Sequence, residues 1–174
     1  MNTNWSVLAV FQGASAREPA VSFCDALVQR FWPRTTFELV WLDWDSLHES
    51  DSAKRANLTA TQADMLILAT AQQGKIDLHV KTWLESALHN RGEREGVLVG
   101  LSAGEGSALT TESAGTQQYL RKLAHQNGLD YLTTVPTSLS YGVPDTTEAC
   151  NLRATQVTSV LDTILHRVPP RRML

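Results

Sequence analysis

Five short apolar runs punctuate the chain at residues 7–11, 37–42, 65–69, 97–101 and 131–135. The first, third and fourth hardly alternate between apolar and polar side chains. Such continuity is the pattern of strands buried on both faces, hence of a parallel sheet with helices above and below. The fifth run is weaker and reads as an edge strand, while Trp41 and Trp44 read as the end of the second strand. A chain built around these runs must supply a crossover helix between consecutive strands.

Helical patterns fill the gaps. Ala20, Cys24, Leu27, Val28 and Phe31 fall on one face after the first run, with Pro19 placed to occupy a first helical turn and Pro33 to stop the segment. A shorter helix is expected over 53–61. Val80, Trp83, Leu84, Ala87 and Leu88 form the next stripe, with Asp77 as its N-cap and an end before Gly92. Tyr119, Leu120, Leu123 and Ala124 form another, closed by Asn127-Gly128. The last carries Val157, Val160, Leu161, Ile164 and Leu165 behind a capping box at 145–148. Strands alternating with helices imply right-handed crossovers and a doubly wound α/β sheet.

Composition sets the class. With 174 residues, 43 % hydrophobic and 19 % charged, the chain has material for one full core. A single domain is expected over 1–168, followed by a basic tail at 169–174. Fifteen Lys and Arg against 18 Asp and Glu give a net charge of −3, which argues against a nucleic-acid-binding protein with its basic face. No apolar run approaches the roughly 20 residues of a membrane span. The N-terminus lacks the pattern of a signal peptide, and Cys24 and Cys150 are too few for a disulfide scaffold, so a cytoplasmic address is expected. His48, His79, His89, His125 and His166 show no metal-site spacing, and no metal is expected.

Ligands of doubly wound sheets bind beyond the carboxyl ends of the strands. The segments to search are therefore 12–18, 70–79 and 102–111, all rich in small or polar residues. In these loops the chain resembles the NADPH-dependent FMN reductases, a flavodoxin-like family, and the similarity spans nearly all of its length. Gly13-Ala14-Ser15-Ala16-Arg17, with Ser22 beyond, is similar to that family's Gly-Ser-x-Arg-x-x-Ser phosphate loop. The stretch 70–82 keeps the glycine and lysine of its second motif as Gly74 and Lys81. Ser102-Ala103-Gly104-Glu105-Gly106-Ser107-Ala108 is similar to its Ser-x-Gly-x-x-Gly-Gly.

The resemblance implies a three-layer α/β/α fold with strand order 2-1-3-4-5, a bound FMN, and a homodimer or homotetramer with its interface bordering the flavin. It further implies an oxidoreductase, a flavoprotein that passes hydride from NAD(P)H through FMN to a quinone, free flavin or similar small-molecule acceptor. The cofactor carries that chemistry, so no catalytic side chain is expected. Gly13, Ser15, Arg17 and Ser22 are the implied phosphate ligands. Gln72, Gln73, Gly74 and Lys75 would border the ring. Ser102, Ala103, Gly104 and Gly106 would offer main-chain donors to its pyrimidine side.

Each loop also has a plainer reading. The first is a helix start whose own carboxylate, Glu18, takes the free N–H groups; the third is a surface loop. His79 lies near the expected mouth, as a substrate contact or a helix-surface residue. A flavodoxin-fold protein that has lost its cofactor and serves as a binding or assembly partner is the alternative function. A one-electron carrier is disfavoured, because such carriers dock through a more acidic surface.

Overall fold

Continuous apolar runs did become central strands. The computed structural model describes residues 3–32, 34–71, 74–103 and 111–133, all within one compact unit, Met1–Leu139. Its strands are β1 (Thr3–Phe11), β2 (Thr35–Asp43), β3 (Met65–Thr70), β4 (Val97–Ser102) and β5 (Asp130–Thr133). Its helices are α1 (Gly13–Phe31), α2 (Ser50–Gln62), α3 (Leu78–His89) and α4 (Thr111–Gln126). The expected last helix, its capping box, Cys150, Val135 and the tail lie outside the described residues.

All pairings are parallel, in the order β2-β1-β3-β4-β5. Every residue of β3 is buried, as are the first five of β4. One face of the sheet sends Leu8, Val10, Leu66, Leu68 and Leu98 into a cluster with side chains of α2, α3 and α4. The opposite parity, Val7, Ala9, Met65, Ile67 and Ala69, is equally buried, and α1 lies across β1, β2, β3 and β4. This is the three-layer, flavodoxin-like α/β fold.

Two polar knots hold the amino ends of the strands. The Asp64 carboxylate accepts from the Ser6 N–H (2.9 Å) and hydroxyl (3.2 Å), and from Arg94 (3.0 Å), fixing the start of β3 against β1. Arg91, buried, donates to the Ala60 (2.7 Å) and Ala63 carbonyls at the end of α2 and to the Glu95 carbonyl (3.0 Å). A cation there satisfies orphan carbonyls and complements the helix dipole.

Two expectations need correction. Pro19 is not in a first turn: α1 begins at Gly13, so Pro19 lies inside the helix. Gly13 takes φ +69°, which lets the chain turn from strand to helix without a loop. Trp44 does not end the second strand either. It opens a 3-10 helix, Trp44–His48, and is buried. Trp32 caps α1 and stays 71 % exposed, unlike the buried Trp44 and Trp83.

Candidate functional site

The carboxyl ends of β1, β3 and β4 are stitched to one another. The Gln12 N–H donates to the Ala69 carbonyl (3.0 Å), and its side-chain oxygen accepts from the Ala71 N–H (2.9 Å). On the other flank the Thr70 hydroxyl, buried, donates to the Leu101 carbonyl (3.2 Å), and the Ala103 N–H donates to the Thr70 carbonyl (2.8 Å). The rim that ligands of such sheets use is therefore a fixed platform.

On this platform α1 presents its N-terminus. Gln12 makes no side-chain cap, and the first turn carries no acidic residue. Among the described residues, a Cβ added at Gly13 would meet nothing within 4 Å. Ser15 is exposed in the first turn, and the Arg17 guanidinium lies 5.9 Å from the Phe11 ring centroid. Glu18 falls beyond the first turn and does not cap the helix, so the plainer reading of this loop does not describe it. First-turn N–H groups without a side-chain cap and the exposed Ser15 hydroxyl at a positive dipole end suit a phosphate, and the Arg17 guanidinium packs by Phe11, the last residue of β1. Ser22 is not part of this group. It sits nine residues up the helix from Gly13, about 14 Å at 1.5 Å per residue.

The second loop is more closed than its composition suggests. Gly74, buried at φ +64°, donates its N–H to the Ala71 carbonyl (2.8 Å), and its carbonyl accepts from the Thr116 hydroxyl. Its backbone is spent on a turn and on α4, while Lys75 is exposed. Gln72, Gln73, Gly104 and Gly106 lie outside the described residues. Ser102, half-buried, and Ala103 stand at the end of β4, beside Thr70.

Beyond that loop Asp77 caps α3, as its sequence position indicates. It accepts from the Val80 N–H (2.9 Å) and the Trp44 indole (3.0 Å). Burial works to raise its pKa, but those two hydrogen bonds and the charges of His48 and His79 outweigh it and hold the carboxyl below its ordinary value. The His79 ring stacks on His48, centroids 4.5 Å apart, and its Nε2–H donates to the Leu47 carbonyl (2.7 Å). His79 thus belongs to a tie between the 3-10 helix and α3. Cys24 is buried and its thiol is pushed up to about 11, first by burial and then by Asp25, which leaves no ready thiolate nucleophile there.

Sequence reasoning missed Gln12, Thr70 and Thr116, the residues that fix the rim. The signal for Thr70 was a lone hydroxyl ending a fully apolar run. For Thr116, nothing local marks the partner across the fold. Among the described residues no three potential metal ligands converge, and no helix is long and apolar enough to cross a membrane.

No family model matches the chain, and no curated protein sequence matches it. Solved structures do. An oxidoreductase from Corynebacterium diphtheriae superposes with a TM-score of 0.58 at 14 % identity, over 89 % of this chain and 92 % of that one. A candidate quinone reductase from Klebsiella pneumoniae gives 0.50 at 10 % identity, over 93 % and 85 %. The general stress protein 14 of Treponema denticola, solved in complex with FMN, gives 0.47 at 13 % identity, over 91 % and 98 %. At such identities the likeness to the first two is one of fold alone.

Proposed function

We propose that the protein is an FMN-dependent NAD(P)H oxidoreductase acting on a quinone, free flavin or similar small acceptor. The observation that carries this reading is the uncapped start of α1, directly after β1, with Ser15 in its first turn and Arg17 in its second. The main-chain N–H groups of that turn, the Ser15 hydroxyl and the Arg17 guanidinium would hold the phosphate. Ser102 and the end of β4 would border the ring. When bound, FMN supplies two-electron chemistry between a nicotinamide and an acceptor. The chain's own part is to hold and orient, so no general acid or base is required of it. The resemblance in the three rim loops and the oxidoreductases among the structural neighbours support the same reading.

A second reading is favoured by one specific observation. The Ala71 N–H is taken by Gln12, and both backbone groups of Gly74 are engaged internally, so these donors are closed to a ring. A flavodoxin-fold protein without a flavin, acting as a binding or assembly partner, would show this closure. Steady-state oxidation of NADH and NADPH, with added FMN and a benzoquinone acceptor, separates the two. The enzyme reading expects turnover that depends on FMN and saturates with acceptor. No turnover above the protein-free rate supports the second.

A further inference from the structure

Among the described residues β2 pairs with β1 alone, so its outer edge is open. The strand runs nine residues in unbroken register with β1, from Thr35 to Asp43, without a bulge. Edge strands of monomeric proteins are usually short, or blunted by lysine, proline or a bulge, because an open edge is a template for another strand. Across Thr35–Asp43 β2 carries no lysine, proline or bulge, and Glu38 is its one mid-strand charge. Its sequence, Thr-Thr-Phe-Glu-Leu-Val-Trp-Leu-Asp, is rich in β-forming residues, with half-buried Phe37, Leu39 and Trp41 on the α1 side of the sheet. On the other side Val40 is 41 % exposed.

We propose that β2 is an interaction edge for a second copy of this chain, the two strands pairing antiparallel about a two-fold axis at Leu39. Charge and side-chain pattern select both the direction and the register. With the axis at Leu39, Phe37 faces the partner's Trp41, Glu38 faces the partner's Val40, and Thr35 faces the partner's Asp43. Arg34, exposed just before the strand, then comes beside the acidic end formed by the partner's Asp43 and the partner's Asp45. Moving the axis to Glu38 sets two carboxylates against each other. Moving it to Val40 sets Asp43 against an aromatic ring. Only the Leu39 axis pairs all nine residues, joins aromatic to aromatic and opposes no like charges. The result is an isologous interface that extends the five-stranded sheet into its copy. This inference does not depend on FMN.

Sedimentation equilibrium of the full chain and of two variants at one position tests it. Val40 faces the partner's Glu38 twice, so Val40→Glu is expected to weaken dimerisation about tenfold, while Val40→Lys leaves it intact or tightens it. Circular dichroism confirms that both variants fold. Leu39→Cys, in a Cys150→Ser background, is expected to form a symmetric disulfide, since directly opposed residues sit within disulfide reach. The proposal is overturned by a full chain that stays monomeric at high micromolar concentration. A dimer that both Val40 variants affect alike, or neither affects, and that Leu39→Cys does not cross-link, overturns it equally.

Discussion

At Asp77 one carboxylate caps a helix, receives an indole N–H and faces two stacked imidazoles. Because its folded pKa is held below its ordinary value of 3.8, its ionised form contributes stability that is present above that value and lost as the pH falls through the lower, folded one. Asp77→Ala is therefore expected to cost about 1 kcal/mol at neutral pH, through the lost cap. The gap to the parent protein should narrow below about pH 4, as urea titrations at pH 7 and pH 3 would report. Arg91 is the other residue on which distant backbone depends. Its pKa is lowered by burial first and by Arg94 next, against the pull of Asp64. Three carbonyls nonetheless rely on its N–H groups, and its Nε is buried without a hydrogen-bond partner among the described residues. Arg91→Met is expected to destabilise the protein by about 3 kcal/mol, since buried acceptors lose a charged donor. The Asp77 cap was legible in advance, because a cap is local; the Arg91 tie was not, because two of its three carbonyls lie some thirty residues away.

Helix α1 shows how far a stripe can be read and where reading stops. The apolar face from Ala20 to Phe31 was plain, and its extension to Ala16, four residues earlier and fully buried, was the overlooked signal. Pro19 drew the start too late, because proline is favoured in first turns and costly within a helix, where it denies the Ser15 carbonyl its donor. The true start matters for function. Ser15→Asp adds a carboxylate to the first turn, and the two readouts should move in opposite directions. Stability should rise by about 0.5 kcal/mol, from the favourable dipole contact. FMN affinity should fall at least about tenfold, because the new charge repels phosphate at the same donors. An unchanged affinity would place the phosphate elsewhere. The 3-10 helix after β2 went unread for a related reason: Trp44 looks like one more apolar strand residue until Asp43 accepts from the Asp45 N–H and turns the chain.

Across the whole molecule, continuity of the central runs was enough to make the sheet parallel, whereas strand order came only through resemblance. Spacing alone does not say which strands are neighbours; the pairing of β1 with both β2 and β3 does. The rim could be located from the sequence, but its state could not. Gln12, Thr70 and Thr116 act across the fold: Gln12 takes up the Ala71 N–H, while the two threonine hydroxyls occupy the Leu101 and Gly74 carbonyls. The phosphate, more than the ring, is therefore expected to anchor FMN. Calorimetric titration of the protein with FMN and with riboflavin, which lacks the phosphate, tests this most directly. FMN should bind, and riboflavin should bind at least about a hundredfold more weakly, a charge-assisted phosphate site being worth several hydrogen bonds. No heat with FMN, or equal affinity for the two, would contradict it.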